Sequence, residues 1–391
     1  MRTIKITAKI LFFISLFGYG CKERYQDNIN DQYVIEKLEF DISKQTMLEN
    51  LDSIKIKEVV KLSVDPSLPL GRIDKVIIAE DRILILDRTF SKFLFVYDRQ
   101  GNLLYKIGDR GNGPGEYVNT PKDFHVDESQ KKITVYNSEI KTLNTYNWNG
   151  GLIDARLLEK TWPYTFAMFD SVYYFAYKTV DTDSYLFRIE DEKEKNYFKY
   201  KRLKNKRDVV SNECFFSTSQ YIYFVEDFNN EIVVLKDKGV EKILSIDFGE
   251  NSIQKDFLTK YKGDEFIKEA LSTKKATNIS KIVETDDLFT FQYVYEKMGF
   301  QIVHNKNNKN YLNGVSLNSG YFPSEIHTSY NNCLVSVLSA EYLEGILSIE
   351  DEDSGTWNMI INSAHPIIKE ILLNSKEGIA DDYIFFYELG L

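Results

Sequence analysis

The chain has 391 residues, three cysteines and a formal net charge of −10. The acidic balance argues against a nucleic-acid partner, because affinity for nucleic acid comes largely from Lys and Arg that neutralise phosphates. Only Cys214 and Cys333 follow residue 21, so a disulfide framework is excluded, although one bridge between these two stays open.

The N-terminus has the pattern of an export signal. Three cations and no anions precede or flank the apolar run Ile10–Phe17, and Gly18-Tyr19-Gly20 leads to Cys21. The apolar run is shorter than the roughly 20 residues that a membrane-spanning helix needs. Small residues before a cysteine resemble the lipobox of bacterial lipoproteins, although a leucine is usual at the position of Gly18. We therefore predict a signal peptide over 1–20 and a lipid on Cys21; the alternative is an ordinary cleaved signal.

The next segment, residues 21–50, is polar and irregular and is predicted to be a tether between the lipid and the folded body. Without residues 1–20 the net charge becomes −13. The folded body is predicted to occupy residues 51–391. Its first strand is Lys55–Leu62, which alternates apolar and charged residues before Pro66 and Pro69.

The stretch Ile83–Tyr117 contains the clearest structural pattern. Ile83–Leu86 and Phe93–Tyr97 are apolar runs of strand length, Gly101 lies in a turn between strands, and Leu103–Ile107 follows as a third strand. Three strands joined by short turns form a meander, which leaves an open edge unless the fold closes.

Weaker copies of this unit recur to the end of the chain. The apolar runs that begin each copy start 40 to 67 residues apart: Ile83–Leu86, Ile133–Tyr136, Tyr173–Tyr177, Ile222–Val225, Phe289–Tyr293 and Leu334–Leu338. Several strands per period of about 45 residues predict an all-β, six-bladed β-propeller. A two-sheet sandwich with a separate helical domain is the rival interpretation.

Two insertions interrupt the repeats. Apolar residues at helical intervals predict a helix near 252–275, and Pro366 with the residues behind it predicts a second near 364–375. Between Leu338 and Pro366 the acidic run Glu350–Asp353 is expected to be irregular. The strand Tyr383–Leu389 is expected to pair with Lys55–Leu62, which would complete blade six and close the ring.

The span 52–150 carries a family resemblance. Its sequences LDR, YDRQGNLLYKIG and GDRGNGPGEY, together with the terminal YIFFYEL, resemble the six-bladed β-propeller lipoproteins of Bacteroidetes, relatives of the NHL-repeat propellers. The resemblance implies a lipid-anchored propeller outside the cytoplasm. It implies little about activity, because propellers host many unrelated functions.

The glycine-rich loop is the candidate ligand site. Gly108, Gly111, Gly113 and Gly115 permit close backbone approach, and the loop offers Arg110, Glu116 and Tyr117 as contact residues. The loop matches neither phosphate-binding glycine motif, so nucleotides are not expected. The alternative interpretation is a structural crossover between blades.

Other chemical signals are sparse. His125, His304, His327 and His365 lack zinc-ligand spacing, and Glu350–Asp353 lacks the spaced ligands and glycine of a calcium loop. No metal or cofactor is therefore predicted, although calcium stays open. The sequence also has no G-x-S-x-G element, so no catalytic residue is assigned.

Three functions follow from these patterns. The favoured one is a binding or scaffold module for a glycan, a peptide or an envelope protein, held at the outer membrane by its lipid and facing either the periplasm or the outside. The alternative is a metal-dependent hydrolase or lyase with its site in the central channel. A sensor domain would need a partner to transmit a signal.

Overall fold

The computed structural model describes residues 33–46, 51–158, 163–178, 183–190, 193–201, 213–226, 228–254, 257, 260–261, 263–314, 325–375 and 380–391. These residues form six sheets, each of which contains four antiparallel strands of a meander. The predicted signal peptide 1–20 and the predicted lipidation residue Cys21 lie outside the described residues.

The strands are numbered in chain order. Two strands precede the first complete sheet: β1 (Ile35–Glu39) and β2 (Ile54–Lys61). Blade one contains β3 (Lys75–Ile78), β4 (Arg82–Asp87), β5 (Phe93–Asp98) and β6 (Leu103–Ile107). Blade two contains β7 (Asp123–Asp127), β8 (Lys132–Asn137), β9 (Thr142–Asn147) and β10 (Leu152–Leu157). Blade three contains β11 (Thr165–Phe169), β12 (Val172–Lys178), β13 (Asp183–Glu190) and β14 (Lys193–Lys201).

The second half of the ring follows the same plan. Blade four contains β15 (Phe215–Ser217), β16 (Ile222–Val225), β17 (Glu231–Lys236) and β18 (Gly239–Asp247). Blade five contains β19 (Thr277–Glu284), β20 (Leu288–Tyr295), β21 (Met298–Asn305) and β22 (Tyr311–Gly314). Blade six contains β23 (Ile326–Tyr330), β24 (Cys333–Leu338) and β25 (Tyr383–Leu389), and β2 is its outermost strand.

The first strand of each blade lies innermost. Contacts between β7 and β11, β11 and β15, β15 and β19, β19 and β23, and β23 and β3 follow the ring around a central axis. The six apolar runs that define the sequence repeat are all second strands, which lie against the inner strands and are buried on both faces where their burial is described, as in β4 and β16. The predicted six-bladed propeller is confirmed.

The ring closes in the predicted way. Strand β2 pairs antiparallel with β25, from Ile54 opposite Leu389 to Lys61 opposite Tyr383. Blade six therefore combines the beginning and the end of the folded body, and the free edge of the meander is removed.

Buried side chains fill the spaces between neighbouring blades. Between blades one and two, Leu84, Val96, Phe124, Val135 and Tyr146 form one continuous apolar cluster. Such interdigitated packing holds each blade against its neighbours and fixes the spacing of the inner strands. Cys214 and Cys333 are buried in two separate apolar clusters and are not bonded to each other.

Part of the predicted tether belongs to the propeller. Strand β1 pairs in parallel with β18 and so adds a fifth strand to blade four. Phe40 follows it and is buried, with its ring edge-on to Phe291, His304 and Tyr311 at centroid distances of 5.2 to 5.6 Å. The few apolar residues of this segment form the strand and the buried Phe40 contact. The polar composition of the segment as a whole gives no sign of either.

Helices occur in both predicted insertions, and two further helices lie outside them, before the second insertion. Helix α1 (Gly263–Ser272) precedes blade five. Between β24 and β25 the chain forms α2 (Ala340–Glu352), α3 (Ser354–Ser363) and α4 (Pro366–Ser375). The acidic stretch expected to be irregular is helical because Ser339 caps α2, and Asp353 caps α3 by accepting from two backbone N–H groups.

Candidate functional site

The inner strands surround a central cavity of about 730 Å³. This volume lies within the range of small-molecule binding sites. All six blades contribute to a wall that combines apolar, hydroxyl, imidazole and carboxylate groups, including Lys75, His125, Phe169, Phe215, Lys281, Glu284, His327 and Ser329.

One ion pair links the first three blades at the beginning of their inner strands. The Lys75 Nζ donates to Asp123 Oδ1 at 2.7 Å and to the carbonyl of Phe124 at 2.9 Å. The Thr165 hydroxyl donates to the other Asp123 oxygen at 2.5 Å. Burial alone would raise the pKa of Asp123, but the attraction of Lys75 and Arg88 outweighs it and lowers the pKa.

A second ion pair holds Glu213 immediately before β15. Arg88 Nη2 donates to Glu213 Oε1 at 2.9 Å, and Arg88 Nε donates to the carbonyl of Lys122 at 3.0 Å. Burial opposes ionisation of Glu213, but the nearby cations Lys281 and Arg88 lower its pKa. We call Lys75, Arg88, Asp123, Glu213 and Lys281 the inner charge network.

Lys281 reaches this network from an irregular strand. The pairing of β19 with β20 shifts twice, and Lys281 itself has a φ of 49°. A positive φ is uncommon for a residue with a side chain and marks a place where the backbone is redirected. Lys281 Nζ lies 3.8 Å from Glu213 Oε2 and 3.5 Å from Glu325 Oε1, so it sits between two carboxylates without closing tightly on either.

Two imidazoles lie beside this network and face the cavity. Burial lowers the pKa of His125 to about 4, and burial also lowers the pKa of His327 to about 4. Both rings are therefore neutral at neutral pH, and each offers one donor and one acceptor nitrogen. The Nδ1 atom of His327 is buried and has no hydrogen-bond partner among the described residues.

The opposite end of the cavity is formed by the turns that follow the inner strands. Asp127, Asp170 and Asp286 lie in this rim, together with hydroxyl and amide side chains of Thr218 and Asn332. Glu284 lies below the rim, where it accepts from the Tyr223 hydroxyl at 2.5 Å and pairs with Lys306 at 3.0 Å. The rim consequently has a negative electrostatic character.

No group of three or more His, Cys, Asp or Glu side chains within the described ranges is arranged to hold a metal ion. No described helix is both long enough and apolar enough to cross a membrane. These two findings apply to the described part of the chain.

The six-bladed fold is accompanied by a match to a protein family. The model of a domain of unknown function, DUF4934, matches residues 34–365. The chain belongs to the DUF4934 family. No curated protein matches it.

Solved structures show the fold of this DUF4934 protein rather than its activity. A Bacteroides fragilis protein, named only for its inferred export, is 16% identical with a TM-score of 0.71, and the match covers 92% of this chain and 100% of that one. A member of the DUF4221 family from Bacteroides vulgatus is 11% identical over 89% of this chain and 99% of its own, with a TM-score of 0.49. The virginiamycin B lyase of Staphylococcus aureus is 13% identical over 71% and 81%, with a TM-score of 0.40. The last two similarities are too low to support an argument.

The predicted contact residues of the glycine-rich loop lie outside the cavity wall. Tyr117 is fully buried between blades one and two, and its hydroxyl lies 3.2 Å from that of Tyr146. Glu116 Oε2 accepts from the backbone N–H of Gly113 at 2.7 Å, and Arg110 donates to the carbonyl of Ser91 at 3.2 Å. The loop thus uses these side chains for its own contacts, and ligand binding by them stays a prediction.

The cavity residues of the DUF4934 chain were missed because none belongs to a recognisable motif. A positional signal nevertheless exists. Lys75, Asp123, Glu213 and Lys281 each precede the apolar run of their blade by eight to ten residues. In this propeller the offset falls within the innermost strand or within two residues of its start, so aligning the repeats one strand further upstream would have brought these residues together.

Proposed function

We propose that the protein is an extracytoplasmic binding module that holds part of a glycan or peptide in the central cavity, and that a lipid on Cys21 anchors it to the cell envelope. The inferred export of the Bacteroides fragilis relative and the basic, apolar N-terminus support the location. The propeller fold supports a binding role, since the inner strands present side chains from six directions to one space.

The observation that carries the proposal is a cavity in which the lysine and arginine of the inner charge network already have carboxylate partners and the neighbouring imidazoles are neutral. Lys75 and Arg88 each hold a carboxylate at 2.7 to 2.9 Å, so these side chains are fixed before any ligand arrives. His125 and His327 then offer uncharged donors and acceptors. Such a wall suits the hydroxyl groups of a glycan and the amide groups of a peptide.

The acidic rim refines this choice. Asp127, Asp170 and Asp286 attract cationic groups and repel phosphates and sulfates. We therefore expect neutral oligosaccharides and peptides with a free amino group or basic side chain to bind, and polyanionic glycans to be excluded.

A binding screen tests the proposal. Purified protein is titrated calorimetrically with neutral oligosaccharides, sulfated oligosaccharides and short peptides, and calcium is tested alone in the same series. For a hit, His327→Gln is expected to weaken binding at least tenfold, whereas His365→Gln, in the helical insertion, leaves it unchanged. Equal effects of the two variants would place the ligand elsewhere, and binding of polyanions in preference to neutral ligands would contradict the proposed chemistry.

A further inference from the structure

The outermost strands of the blades differ in whether another segment of the chain covers their outer edge. In blade four β18 is covered by β1, and in blade five Asn313 of β22 forms a bridge with Thr46. In blade two β10 is the outermost strand, and no strand pairs with its outer edge among the described residues. An unpaired edge presents backbone donors and acceptors to any strand that can match it.

Strand β10 is also unusual in its side chains. Leu152, Ile153 and Leu157 are exposed by 38%, 52% and 56%. Exposed apolar residues at this density on an open edge indicate a surface that another strand covers.

The hydrogen-bond pattern fixes which backbone groups of β10 point outward. The N–H of Leu158 donates inward to the carbonyl of Lys141 in blade two. Backbone groups alternate along a strand, so Arg156 and Asp154 also point inward, and Ala155 and Leu157 present their N–H and C=O groups to solvent. Two copies of β10 can therefore pair with the Ala155 residues opposite each other and a two-fold axis midway between them.

The sequence around Ala155 is complementary to itself in that arrangement. When two copies of β10 run antiparallel about Ala155, Asp154 of each copy faces Arg156 of the other. Leu157 comes opposite Ile153, which is the bulged residue of the strand. A two-fold axis at Asp154 or Arg156 would instead place like charges opposite each other, which is destabilising.

We propose that β10 is the interaction surface for a second copy of this chain, and that the two copies join blade two to blade two through an antiparallel edge pairing centred on Ala155. The arrangement is isologous, so it closes at two copies and does not propagate. The bulge at Ile153 limits the ladder to a few residues, and the resulting dimer is weak and concentration-dependent.

Sedimentation of the purified protein from micromolar to near-millimolar concentration tests the pairing. The wild type is expected to show a monomer–dimer equilibrium. D154R alone and R156D alone each place like charges opposite each other, and each is expected to weaken dimerisation at least tenfold. An equimolar mixture of the two variants is expected to form a heterodimer, because every acid again faces a base.

Two further variants keep the result interpretable. A155P removes an outward N–H without touching the bond to β9, so it is expected to stay folded and to be monomeric. K55D changes the net charge by the same amount as R156D but lies on the outermost strand of blade six, so it is expected to dimerise as the wild type does. A wild type that stays monomeric throughout, or a dimer that A155P and the charge variants leave intact, would overturn the proposal.

Discussion

The glycine-rich loop and the inner charge network are both dense in polar groups, yet they use them in opposite ways. In the loop, Glu116 turns back to the N–H of Gly113, and the Tyr146 hydroxyl donates to the carbonyl of Gly115 at 2.8 Å. In the network, Lys75 and Glu213 come from different blades and line an open space. The loop is conspicuous in the sequence because its residues lie close together in the chain and hydrogen-bond to one another. The cavity, in contrast, is assembled from residues far apart in the chain.

The largest expected effect is a difference in stability between variants of Arg88, in the network, and Arg110, in the loop. Arg88→Met leaves the Glu213 carboxylate, whose side chain is only 18% exposed, without its closest cation, so we expect the free energy of unfolding to fall by about 3 kcal/mol. Arg110→Met removes an exposed contact and is expected to cost about 0.5 kcal/mol at most. Denaturant unfolding measures both, and similar losses would remove the distinction between the regions.

The next effect tests the backbone of the loop. Gly108 has a φ of +71°, and a Cβ at this position would lie 2.3 Å from the Tyr117 ring. Gly108→Ala is therefore expected to destabilise the protein by about 2 kcal/mol. Gly345→Ala in α2 has open space around it and is expected to be neutral or stabilising by up to about 1 kcal/mol. Thermal melting of the two variants would contradict this account of the loop if Gly108→Ala melted no lower than Gly345→Ala.

The cavity imidazoles make stability depend on pH. The pKa values of His125 and His327 are about 4 in the folded protein, below the ordinary value of 6.5. Below pH 6.5 the two imidazoles are protonated in the unfolded chain but not in the folded protein. The stabilisation that is fully present above pH 6.5 is therefore lost as the pH falls towards 4. Replacing both residues by Gln is expected to reduce this loss by about 1 to 2 kcal/mol for each ring. Unfolding curves from pH 7 to pH 4 measure it, and an unchanged slope would show that the rings are not held neutral.

The last expected effect, on a single hydrogen bond of the loop, concerns Glu116. Its carboxylate accepts one hydrogen bond, so Glu116→Ala is expected to lower stability by about 1 kcal/mol. If the loop also contacts ligand, as the sequence predicts, this variant weakens ligand binding more than it weakens stability. Matching losses in both measurements would identify Glu116 as purely structural.

The sequence predicted the architecture because a propeller repeats its signal six times. The apolar second strands were located in every blade, and the closing pair β2 and β25 followed from the need to cover an edge. Strands that are buried on both faces can be predicted from the sequence because they need continuous apolar runs.

The cavity was not predictable by the same means. Lys75 and Asp123 are 48 residues apart, and a pair at that separation leaves no local pattern. Residue type gave no signal either, because His125 and His327 lack metal-ligand spacing in the sequence, yet both face the central space. Helices α2 and α3 were missed because their capping residues Ser339 and Asp353 stand within a stretch whose acidic composition suggested a loop.

The closing strand has a consequence for the synthesis of the chain. Strand β25 lies between β24 and β2 in blade six. Strand β2 therefore cannot join this blade until the polypeptide has been made through residue 389. Five blades can form in order as the chain emerges, but the circle stays open until its last strand arrives. A messenger interrupted before residue 383 would accordingly yield an open arc with two exposed edges, a species suited to proteolysis and aggregation, rather than a smaller propeller.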